Sequence, residues 1–235
     1  MKFTWMKWTA VPVAALLLGG VAMAQDQSSS GSQSSSGSQT SSSSSSSQSG
    51  SSATSSTTST PKPTIQQRKE NQQDRIANGV QSGQLTAGET KNLETKEAAI
   101  NKETAADRAA NGGKLTSGEK QQINKQQNQM SKQIYADKHN ANTAHYGNNE
   151  VGQRRENQQD RIAQGIKSGQ LSAGETAKLE KQQQGINKQV SSDRAANGGK
   201  LTASQKQQIN KEQNGASKNI YRKKHNAKTQ PQAKQ

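Results

Sequence analysis

Four copies of one short pattern constrain this chain more than any other feature. Gly-x-Leu-Ser/Thr-x-x-Glu/Gln occurs at Gly83 to Glu89, Gly113 to Glu119, Gly169 to Glu175 and Gly199 to Gln205. The physics is that of a helix start. A Ser or Thr N-cap accepts from a free backbone N–H, and the Glu or Gln three residues on reaches back to the cap's own N–H. The preceding Gly supplies the backbone angles of a tight loop, and the Leu between them is expected to face inward. No proline occurs between Thr64 and Gln230, which suits long helices.

The capped starts belong to an internal duplication. Glu70-Asn71-Gln72-Gln73-Asp74-Arg75-Ile76 returns as Glu156-Asn157-Gln158-Gln159-Asp160-Arg161-Ile162, and the 86-residue offset between Asp74 and Asp160 holds without a gap to Tyr135/Tyr221. Each copy is therefore expected to be one structural unit. Three helices are predicted per copy. In the first copy they run about Ile65 to Gln81, Thr86 to about Ala110, and Thr116 to about Ala141, with Asn111-Gly112-Gly113 stopping the second. Apolar residues recur about every seventh position (Leu93, Ile100; Ile123, Met130), but the intervening seam positions fall on Lys96 or Glu97 and on Gln126 or Gln127. A full coiled coil would be apolar there, so a thin heptad-like seam is expected, with Tyr135 and Tyr221 packed on it. The fold class predicted is all-α: two tandem copies, 64–149 and 150–235, of three capped helices each.

Ahead of the repeats, residues 1–24 read as a signal peptide, with Lys2 and Lys7 before the apolar run Trp8 to Val21 and a small-residue site at Ala22-Met23-Ala24. The run is too short for a membrane span. The sequence thus predicts cleavage after Ala24, a secreted or periplasmic location, and no transmembrane span in the mature chain. Residues 25–63 are expected to form a disordered, Ser-rich tether, because a segment without large apolar side chains cannot repay the entropy of ordering.

Composition narrows the chemistry. The chain has no cysteine, which excludes disulfides, thiolate metal sites and a thiol nucleophile. Only 3% of residues are aromatic, and beyond residue 24 the aromatics are Tyr135, Tyr146 and Tyr221, so a thick core is not expected. The formal net charge is +15 and is uneven: residues 61–149 carry 13 Lys and Arg against 9 Asp and Glu, residues 150–235 carry 17 against 7. Arg154-Arg155 and Arg222-Lys223-Lys224 are the local basic clusters and the candidate polyanion contacts, the alternative being a solvated face. Acidic envelope polysaccharide and extracellular nucleic acid are the partner classes this charge suits, and self-association through the helical seam is a further expectation.

No reaction is named by the sequence. The Gly-x-Leu-Thr-x-x-Glu pattern is similar to the back half of an EF-hand loop, but that loop needs oxygen ligands at its first, third and fifth positions. With Gly113 in the glycine place these fall on Arg108, Ala110 and Gly112; the last loop also has Gln205 in place of the closing Glu. A calcium-responsive protein is thus the weaker alternative. Tyr135-x-x-Lys138-His139-Asn140 and Tyr221-x-x-Lys224-His225-Asn226 bring one His per copy, too few for a metal site; a helix C-terminus where cations complement the dipole is the simpler reading. Asp107-Arg108 and Asp193-Arg194 read as solvated pairs. No nucleophile motif or phosphate loop is present, so no enzyme activity and no cofactor are expected.

The pattern Arg75-Ile76-x-x-Gly79-Val80-x-Ser82-Gly83-x-Leu85-Thr86-x-x-Glu89, with Asn111-Gly112-Gly113-Lys114-Leu115-Thr116 and Ile134-Tyr135-x-x-Lys138-His139-Asn140, resembles a group of small secreted bacterial helical-repeat proteins of unknown function. The resemblance covers 66–145 and 152–231. It implies a helical fold and an envelope or secreted location, and brings no catalytic residues; with no reaction named by the residues, a structural or interaction module is the function expected.

Copy two carries Gly185, Gly215 and Ala216 where copy one has Ala99, Gln129 and Met130. A Gly inside a helix costs about 1 kcal/mol relative to Ala. Gly185→Ala with Gly215→Gln should therefore raise the melting temperature; no change would mean that the helices of copy two do not extend through these positions.

Overall fold

The computed structural model describes residues 61–230, so the signal peptide and residues 25–60 of the Ser-rich tether expected from the sequence lie outside the described residues. Six helices follow one another: α1 Ile65–Gln81, α2 Ala87–Ala110, α3 Ser117–Lys138, α4 Glu150–Lys167, α5 Ala173–Ala196 and α6 Ala203–Lys224. No strand occurs among the described residues, and none of their helices is long and apolar enough to cross a membrane. Helices α2, α3, α5 and α6 begin at the four repeated N-caps; the boxes at α2, α3 and α6 are reciprocal, as is the one Thr64 and Gln67 form at α1, while at α5 the Ser172 N–H and O–H donate to Glu175 and the Glu175 N–H bonds the Ser172 carbonyl. The third helix ends at Lys138, three residues short of the predicted boundary, because His139 adopts a C-cap conformation.

Within copy one, α1 and α3 run parallel and α2 runs antiparallel to both. Arg68 bonds Asn124 and Asn128, Gln72 reaches Gln127 and Ser131, and Arg75 reaches the Ser131 carbonyl, so both chains advance together. In the other sense, Gln73 meets Glu94 and Glu103 accepts from Gln122 and Gln126. Copy two repeats most of these contacts at the 86-residue offset, from Arg154 with Asn210 and Asn214 to Gln159 with Glu180, but Gln189 replaces Glu103 and donates to Asp193 instead.

The copies pack on one another through their own counterparts: α2 lies along α5 and α1 along α4. Gly88 sits against Gln184, and its repeat-equivalent Gly174 sits against Ala98, so α2 and α5 are antiparallel and related by a two-fold pairing whose centre falls at Leu93 and Leu179. One buried cluster joins Ile76, Val80, Leu85, Leu93 and Ile134 to Ile162, Ile166, Leu171, Leu179 and Ile220. The expected thin seam is thus half of a shared core, and the face that could have served self-association between molecules is covered by the sister copy. Copy two also holds a separate apolar cluster of Val151, Ile186, Val190, Ile209 and Ala216. There Val190 stands where copy one has Thr104, which offsets part of the deficit at Ala216. A Cβ added at Gly185 or Gly215 would meet open space, so the stabilising substitutions at those positions encounter no clash.

The polar seam positions are not at the surface. Glu94, Glu97, Glu180, Gln127, Gln183 and Gln213 are fully or almost fully buried. Gln73 and Gln159 donate to Glu94 and Glu180 respectively, and the second oxygen of each carboxylate has no hydrogen-bond partner among the described residues. Burial pushes Glu180 up to about 8, and burial together with the neighbouring Glu97 raises Glu94 well above the ordinary carboxyl range.

A carboxyl that holds its proton more tightly folded than unfolded adds stability below its unfolded value near 4.5, and that contribution is lost as pH rises through the folded value. The melting temperature should therefore fall between pH 5 and pH 8. Glu94→Gln with Glu180→Gln should flatten the profile and raise the melting temperature at pH 8 by roughly 5 °C, read by circular dichroism at 222 nm.

Candidate polyanion clefts and the motif corner

The motifs singled out by the sequence meet in one corner of each copy. Gly79 lies under Leu85: a Cβ there would stand 2.7 Å from the Leu85 side chain and 3.3 Å from Lys138 Cδ. Gly83, at φ 71°, turns the chain from α1 into the next cap. Thr86 and Glu89 form the capping box, and Asn140 Nδ2 then donates to Glu89 Oε1 at 2.7 Å. Burial opposes ionisation of Glu89, but the bonds from Thr86, Asn140 and Asn142 outweigh it and hold the carboxyl below its usual range. The chain beyond α3 closes the corner, Ala144 N–H donating to the Gly83 carbonyl. Copy two reproduces this with Gly165 under Leu171, Asn226 on Glu175, and Gln230 N–H on the Gly169 carbonyl.

The corner accounts for the Tyr-x-x-Lys-His-Asn motif without a metal. The Asn braces a cap, the Lys stem covers a glycine, and the His ends a helix. Tyr135 and Tyr221 differ from expectation. They are 61% and 58% exposed and stack on His139 and His225 at 4.1 and 4.2 Å, because their positions on α3 and α6 face away from the shared core. The carboxylates of the half-EF-hand pattern are likewise engaged: Glu119 accepts from the Thr116 backbone and from Asn111 Nδ2. Among the described residues no group of three or more His, Cys, Asp or Glu is placed to hold a metal ion.

The five predicted polyanion contacts are not equivalent. Arg155 is only 7% exposed: it donates to Asn187 and lies over the Tyr146 ring at 5.2 Å, tying the linker between the copies to α5. Arg154 is engaged by Asn210 and Asn214 on α6. Arg222 bonds Asn219. Lys223 forms the one ion pair among the described residues, 4.0 Å from Glu175. Lys224 is half-buried over Gly165. Arg155 is thus a packing residue, and the 222–224 cluster is partly committed within the fold.

A different set of cations lines open clefts. In copy one Arg108, Lys114 and Lys120 gather beside the start of α1, where Thr64 and Ile65 complete a cleft of about 580 Å³. In copy two Arg194, Lys200 and Lys206 do so beside the start of α4, in a cleft of about 510 Å³ that Glu150 also lines. The α1 and α4 N-termini add the positive end of a helix dipole. Lys114, Lys120, Lys200 and Lys206 are spread singly in sequence, so local basic runs do not reveal them; the two Gly-Gly turns bring them to the same end as Arg108 and Arg194. No family model, curated protein or solved structure matches this chain.

Adding a methyl at Gly79 gains helix propensity worth about 1 kcal/mol but overpacks Leu85 at a cost of roughly 1–3 kcal/mol. Gly79→Ala and Gly165→Ala should each lower the urea midpoint, the reverse of Gly185→Ala. Equal effects at all three sites would show that Leu85 and Leu171 do not pack under these glycines.

Proposed function

We propose that this chain is a secreted, non-enzymatic helical-repeat module of the bacterial envelope whose partner is an extracellular polyanion, acidic polysaccharide or nucleic acid, held at the two cationic clefts. The observation that carries this reading is the placement of the same three repeat-equivalent cations in an open cleft of each copy, with Lys62 a fourth in copy one, in a chain of net charge +15. The binding is electrostatic and indifferent to sequence, since the described chain has no Phe or Trp to stack on bases. Absorption of the repeated motifs into caps and turns supports a non-enzymatic role. The signal peptide read from residues 1–24 supports export, and the Ser-rich segment would serve as the tether that presents the module.

The test is retention of the mature chain on heparin and on duplex DNA across a salt series. Binding near 0.15 M salt is expected. Lys200→Gln with Lys206→Gln should weaken it several-fold and reduce the logarithmic salt slope on DNA by about 0.9 for each phosphate no longer neutralised, with helicity unchanged. Arg222→Gln with Lys223→Gln and Lys224→Gln should weaken it less, because Lys223 already has a partner and Lys224 is half-buried. Absence of binding at that salt would leave the positive charge as a solubility feature and the module with a structural role alone.

A further inference from the structure

Copy two closes a buried hydrogen-bond chain that copy one leaves one proton short. In copy two Gln158 Nε2 donates to the Gln213 carbonyl at 2.7 Å and to the Ser217 hydroxyl at 2.8 Å, and its Oε1 accepts from Gln183 Nε2 at 3.0 Å. Copy one begins the same way: Gln72 Nε2 donates to the Gln127 carbonyl at 2.6 Å and to Ser131 Oγ at 2.7 Å. Those two bonds fix the amide, because a flipped Gln72 would set its oxygen against the Gln127 carbonyl. Its Oε1 is therefore committed to the place that Gln158 Oε1 occupies in the other copy.

The residue equivalent to Gln183 in copy one is Glu97. Gln72 Oε1 and both Glu97 oxygens are buried with no hydrogen bond of good geometry; the Asn101 amide, on the same helix, gives Glu97 only a weaker polar contact. An ionised carboxylate accepts only, as an amide oxygen does. Ionised, Glu97 would oppose acceptor to acceptor in a buried site, a costly arrangement. A neutral carboxylic acid has the one O–H that the position requires.

We propose that Glu97 is protonated in the folded protein and donates its O–H to Gln72 Oε1, as Gln183 donates to Gln158 Oε1, so that removal of this proton loosens the three-helix packing of copy one while the equivalent Gln183–Gln158 bond of copy two stays in place. The charged groups around the site are few. Lys69 faces it from α1, with Glu70 beside Lys69 and Arg108 of α2 within its field; Glu94 lies one turn away on α2, and Glu180 faces Glu94 from α5. The α3 groups that hold Gln72 are the uncharged Gln127 carbonyl and Ser131 hydroxyl. Burial pushes Glu97 up to about 7 even with Lys69 and the Asn101 amide pulling the other way, and the ammonium of Lys69 is itself disfavoured by burial. In copy two the counterpart of Lys69 is Arg155, which is turned to Asn187 and Tyr146. The stabilising contribution of the Glu97 proton is complete below the ordinary value of 4.5 and is lost as pH rises through about 7. Copy one therefore tightens in a mildly acidic surrounding and relaxes in an alkaline one.

The test is a carboxyl carbon-13 NMR titration of the mature chain, with the Glu97 signal assigned by its disappearance in Glu97→Gln. A midpoint near 7 is expected, together with several-fold faster amide exchange in α1 and α3 than in α4 and α6 above that pH after correction for intrinsic rates. Glu97→Gln should melt higher than the native chain at pH 8, and Gln183→Glu should install a second elevated titration in copy two. A Glu97 midpoint near 4.5, or a Glu97→Gln variant that melts lower at pH 8, would overturn the proposal and assign Glu97 to an ion pair with Lys69. The titration of the native chain decides the matter even if the variants fold poorly.

Discussion

Everything else in this structure depends on the antiparallel packing of α2 against α5. It brings Leu93 and Leu179 together at the centre of the two-fold pairing and joins both copies in one apolar cluster. A three-helix unit with so few large apolar side chains buries too little surface to be well stabilised alone. Pairing it with its own duplicate roughly doubles the useful core without adding apolar residues to the solvent face. The duplication is thus the means by which a polar, aromatic-poor sequence obtains a core.

That economy has a cost at the seam. Glu94, Glu97 and Glu180 lie on the faces that the pairing covers, and each is desolvated. A buried carboxylate without a cation partner is more cheaply kept neutral than ionised. Gln73 and Gln159 donate to Glu94 and Glu180, and burial raises the proton affinity of all three carboxyls, so the stability of the shared core is expected to depend on pH. Glutamine at position 183 answers the same geometric need with a permanent donor. The two copies, equal in outline, differ in how they respond to protons.

The outer surface follows another logic. The repeated pattern elements are spent on the corner in which glycine, leucine, cap and asparagine hold successive helices at fixed angles. Separate surface cations gather at the ends of the bundle, where the Asn-Gly-Gly turns bring them around open clefts. The positions that carry the repeated motifs and the positions that carry the surface charge are thus separate, so either set can change by substitution without disturbing the other.

The sequence by itself determined the helices. The capping boxes, the proline-free span and the 86-residue offset are local signals, and helix starts and stops are local events; even α1 was bounded to the residue. The third helix ran three residues shorter because the turn at His139 is imposed by the closure of the corner, with Asn140 reaching back 51 residues to Glu89. Only the tertiary structure decided what faced what. A seven-residue spacing shows that a face is shared but not with which helix, so the pairing of the copies, the burial of Glu97 and Gln127, the exposure of Tyr135 and the withdrawal of Arg155 into the linker were not legible. The cationic clefts were hidden for the same reason. Lys114, Lys120 and Arg108 are ordinary surface residues in sequence, and they become neighbours only when the turn after α2 folds α3 back beside the start of α1.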